Sequence, residues 1–99
     1  MSPAEDAALL LRIVRRHLQA MRLNLDPLYP DEEWGFQAQQ ALEKLLKSQL
    51  VLRDQVVPCT HELLATRRGR LRCWLAVRPL LAELESRLAA LESVVEGLI

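Results

Sequence analysis

Residues 36–47 read FQAQQALEKLLK, and residues 59–64 read CTHELL. Gln37, Gln40, Lys44 and Lys47 recur three and four apart, so on a helix they share one face. Lysine ammonium groups gathered this way can hold the phosphate of a nucleotide or of RNA, and Arg53 adds a further cation just beyond. His61 follows after the next turn, and a histidine can pass a proton to or from a hydroxyl near neutral pH. The same residues equally suit a solvated helix face and the decorated start of a short helix. The spacing leaves both readings open.

Other residues are weaker candidates. Arg12 and His17 have Arg-x4-His spacing, but in an arginine-rich helix that match is cheap and is read as coincidence. Cys59 has no base placed for it, and Cys59 with Cys73 makes neither a disulfide framework nor a zinc set. Both are read as reduced thiols, and neither a metal nor a cofactor is expected. Arg67, Arg68, Arg70 and Arg72 can grip phosphate or simply line a wet turn. The 99 residues carry 13 basic and 13 acidic side chains, so any nucleic-acid contact must come from a local patch. No apolar run approaches the ~20 residues that span a bilayer, and the acidic N-terminus is wrong for a secretory signal. The chain is expected to be cytoplasmic and away from membranes.

The elements that must position these groups read as helices. Leucine supplies most of the apolar content, and there are only three glycines. Ser2-Pro3-Ala4-Glu5 is a capping-box start. Ala7, Leu11, Val14, Leu18, Met21 and Leu25 then form one apolar stripe, which Asp26-Pro27 is expected to end. Asp31 is the expected cap of a second helix. Its stripe is Trp34, Ala38, Ala41, Leu45 and Leu52, widened by Leu42, Leu46 and Leu50. Glu43 and Lys47 are spaced for an ion pair. Arg53 to Pro58 reads as a loop, Thr60 to about Ala65 as a short helix, and Thr66 to Arg70 as a turn. From Leu71 the composition is helical, but Pro79 must break, kink or restart the helix. Leu81, Leu84, Leu88, Leu91, Val95 and Leu98 give a third stripe. The fold expected is all-α: one domain over residues 1–99, a small up-and-down bundle of three long helices and one or two short ones.

With Phe36, Ala38, Gln39, Gln40, Ala41, Glu43, Lys44 and Lys47 in place, followed by Thr60, His61, Glu62 and Leu63, the chain resembles the HEPN domains (higher eukaryotes and prokaryotes nucleotide-binding). The resemblance covers roughly residues 5–65, and the final helix fits in character only. The C-terminal half looks shortened, with TRRGRLRCW where relatives carry a further helix. The resemblance implies a homodimer that binds nucleotide or RNA through Gln40, Lys44, Lys47, Arg53 and His61. It also implies an accessory role beside a minimal nucleotidyltransferase, in a toxin-antitoxin-like setting. Some relatives cut RNA with an Arg-x4-6-His motif late in the chain. Here no histidine follows His61 and no arginine precedes it at that spacing. His61 is therefore only a weak catalytic candidate, and the chain alone is not expected to cut RNA. The alternatives carried forward are a metal-independent RNA endonuclease and a helical interaction module without nucleotide chemistry.

Overall fold

A computed structural model describes residues 2–53, 72 and 74–99, and among them there are helices and no strands. The first helix, α1, spans Pro3–Leu23 and opens on the capping box that the sequence predicts. Ser2 Oγ accepts from the Glu5 backbone N–H at 3.2 Å, and the Glu5 carboxylate accepts from the Ser2 N–H. The helix ends three residues before Asp26. Asn24 caps it by donating its side-chain amide to Ala20 O at 2.7 Å, which satisfies a terminal carbonyl. The expectation that Asp26-Pro27 closes this helix is therefore corrected. Asp26 instead accepts from Leu28 N at 2.7 Å and shapes the connecting turn. Leu25 lies beyond the helix, half-buried at the edge of the core.

The second helix, α2, spans Asp31–Leu52. Pro30 occupies the capping position, so Asp31 is its first helical residue and not its cap. Asp31, Glu32 and Glu33 sit at the positive end of the helix, where negative charge is favourable. The third helix, α3, spans Leu81–Leu98. Pro79 lies within the 3-10 turn Arg78–Leu80 that precedes it, so the proline restarts the chain as α3. The short helix expected from Thr60 and the basic turn at 66–70 lie outside the described residues.

α1 is the centre of the assembly. It packs most extensively along α2, and next along α3. Both neighbours run antiparallel to it: Trp34 meets Met21, while Arg15 meets Glu92 and Arg22 meets Glu85. The core is Ala7, Leu11, Val14, Leu18 and Met21 of α1, with Trp34, Ala38, Ala41 and Leu45 of α2, and Val77, Leu81, Leu88 and Val95. Ala38 and Ala41 are fully buried, and their small side chains let α1 approach closely. On α3 only the seven-spaced row Leu81, Leu88 and Val95 is buried. Leu84 and Leu91 lie at its edge, and Leu98 is exposed, because α3 meets the bundle along one narrow seam with α1. Leu52 is likewise only half-buried, and Leu46 is exposed.

Candidate nucleotide interface on the second helix

The polar row Gln37, Gln40, Lys44 and Lys47 lies along one side of α2, as its spacing requires. All four are half-buried, so this side is not a fully solvated face. The reason is the geometry of α2. At about 100° per residue, the row falls between the stripe that faces α1 and a second buried line formed by Gln39 and Glu43. A strip between two covered faces keeps its stems dry and presents its ends.

Each member of the row has its own role. Gln37 shares a hydrogen bond with His17 Nδ1 across the α1–α2 seam, so it ties two helices together. Lys44 Nζ donates to Gln40 Oε1 at 2.7 Å. An ammonium has three donors, so this bond aims Lys44 and leaves further donors for an anion. Lys47 stands one turn on from Lys44, and Arg53 is exposed at the C-terminal cap of α2. The structure therefore brings Gln40, Lys44 and Lys47 together and places Arg53 past the end of the same helix. His61 lies outside the described residues. α2 itself carries no histidine or cysteine, and the charged groups of this strip are the two lysine ammoniums.

The expected Glu43–Lys47 pair is corrected. Glu43 is buried and accepts instead from Gln39 Nε2 at 3.2 Å. Buried Gln39 and Ser48 are the polar groups that the apolar-stripe reading passes over. Ser48 satisfies its hydroxyl locally, donating to Leu45 O at 2.6 Å, so it fits a dry face. The signal for Gln39 and Glu43 is their four-residue spacing on one line of the helix, which lets one polar side chain donate to the other.

Arg12 and His17 do not converge. Arg12 lines a groove between α1 and α3 together with Arg15 and Glu92, whereas His17 is bonded toward α2. Reading Arg12–His17 as a coincidence of spacing fits this divergence.

The candidate site is a lysine-tipped strip on α2 of an all-α fold in which α1, α2 and α3 pack up and down. The class it defines is a small helical domain whose second helix presents two lysines beside two carboxamides. The chain belongs to the HEPN domain family: the family model matches residues 7–95. That span runs through α3, so the resemblance extends well past residue 65, where the sequence motifs stop. No curated protein matches the chain, and no solved structure does. Membership in this family points to a nucleotide- or RNA-related function. Among the described residues, no helix is long and apolar enough to cross a membrane.

Proposed function

We propose that this protein is a nucleotide- or RNA-binding accessory protein that uses Gln40, Lys44 and Lys47, with Arg53, to hold phosphate. The observation that carries this reading is the Gln40–Lys44 pair, half-buried and hydrogen-bonded, with Lys47 one turn away. A lysine fixed by a neighbouring carboxamide has lost part of its rotamer freedom before any ligand arrives, so less entropy is spent on binding. His61 completes the set proposed from the family pattern. The physiological assembly we propose is a homodimer working with a minimal nucleotidyltransferase, in a toxin-antitoxin-like setting. The family resemblance supports that partner, and the exposed leucines at both ends of the bundle support self-association.

The test is direct binding of a single-stranded RNA, followed by fluorescence anisotropy across a salt series. Replacing Lys44 and Lys47 by glutamine keeps helix propensity. It removes two phosphate contacts, so the slope of log affinity against log salt is expected to shrink by about 1.4. Unchanged affinity and slope would show that the strip is merely solvated.

A further inference from the structure

We infer that the protein carries a second, separate ligand site at the turn end of the bundle, where Trp74 and Arg78 form a pocket for a planar aromatic group bearing an anion, the chemistry of a nucleotide. The guanidinium of Arg78 lies over the Trp74 ring, 5.5 Å from its centroid. It is held there by donating to Leu25 O at 2.9 Å. Leu25, Trp74, Leu75, Arg78 and Pro79 line an open groove of about 580 Å³. That volume lies within the range that accommodates small ligands.

The lining sets the ligand class. Leucines, a proline and an indole offer flat apolar contact, which suits a ring system. Among the described residues the guanidinium is the one charged group of this lining, and its hydrogen bond to Leu25 O occupies one of five donors. The contact with Trp74 and the hydrogen bond to Leu25 O restrict the guanidinium before a ligand arrives, and its remaining donors can take a phosphate. An apolar ligand alone would leave those donors unused, and inorganic phosphate alone would leave the apolar walls uncovered. A nucleotide satisfies both. The site is distinct from the lysine strip: Lys44 lies thirteen residues into α2, about 20 Å along its axis from the end that carries this pocket.

The molecule supplies its own control. It has two tryptophans, and Trp34 is buried with its indole donating to Met21 O at 3.0 Å. Its indole N–H resonance therefore reports the fold, and that of Trp74 reports the pocket. Titrating the full chain with AMP is expected to move the Trp74 indole signal and leave that of Trp34 in place. Adenosine is expected to bind about ten-fold more weakly, because it lacks the charge-assisted contact. Arg78→Gln is expected to weaken AMP about ten-fold while barely changing adenosine. Lys44→Gln with Lys47→Gln is expected to leave AMP at Trp74 unaffected, which separates this site from the phosphate strip. An RNA oligonucleotide with a 5′-phosphate that outcompetes AMP would identify an RNA end as the natural source, and AMP binding without such competition a free nucleotide; both support the site. If Arg78→Gln loses the Trp34 signal, Trp74→Leu takes its place, with loss of AMP binding read by calorimetry. The inference fails if millimolar AMP leaves Trp74 unmoved, if inorganic phosphate moves it equally, or if Arg78→Gln binds AMP like the native chain.

Discussion

At the scale of single residues, Trp34 does two jobs. Its ring fills the α1–α2 core, and its indole N–H reaches Met21 O in the last turn of α1, a carbonyl that the helix itself cannot fully satisfy. Trp34→Phe removes that donor and part of the ring volume. It is expected to cost about 2 kcal/mol, read from the midpoint of urea unfolding. The loss is tempered because Asn24 N also approaches Met21 O, at 3.3 Å. Residue roles of this kind were only partly legible in the sequence. Ser2 and Glu5 declare their capping box by identity and spacing alone, because the interaction is local. Trp34, Gln37 and His17 have partners on another helix, and no pattern within one helix can name them. Gln39 and Glu43 were hidden for a different reason: an apolar stripe is read from apolar residues, and these are buried polar groups joined by a hydrogen bond.

At the scale of elements, the helices themselves were the most readable feature, since each carries an apolar row long enough to outweigh local ambiguity. Boundaries were less so. Asp26-Pro27 is a strong stop signal, yet Asn24 ends α1 first because its side chain can take the terminal carbonyl. The α1–α2 seam depends on small residues. Ala38 and Ala41 are 0 % and 1 % exposed, and a leucine there has no space. Ala38→Leu is expected to destabilise by about 1–3 kcal/mol through overpacking, measured by thermal melting. The seam between α1 and α3 is held differently, by Arg15 with Glu92 and Arg22 with Glu85. The hydrogen bond from Arg22 holds the Glu85 carboxyl below its ordinary value of 4.5. That carboxylate is more basic in the unfolded chain, so its contribution is complete above 4.5 and fades as pH falls through the lower, folded value. Glu85→Gln is expected to lower the melting temperature slightly at pH 7 and not at all in strong acid. A difference that grew on acidification would mean the pair does not form.

At the scale of the whole molecule, α1 joins two neighbours that meet each other little, and the bundle leaves leucines exposed at its ends. Leu28 is 91 % exposed and Leu23 82 %, and apolar side chains gathered at one end offer a surface that a second copy can cover. Light scattering at micromolar concentration is expected to give twice the chain mass, and a monomer mass would count against the homodimer. The two ion pairs of α3 have a consequence of another kind. Arg15 and Arg22 are seven residues apart, as are Glu85 and Glu92, so both pairs close in a single sliding position of α3. Moved one turn in one direction, α3 would set leucines against both arginines; moved two turns that way, it would bring Arg78 opposite Arg22. Pairs this exposed contribute little energy, but they act as a key. A leucine-rich helix can be greased into many alignments along its neighbour, and these four charges leave α3 with one home position.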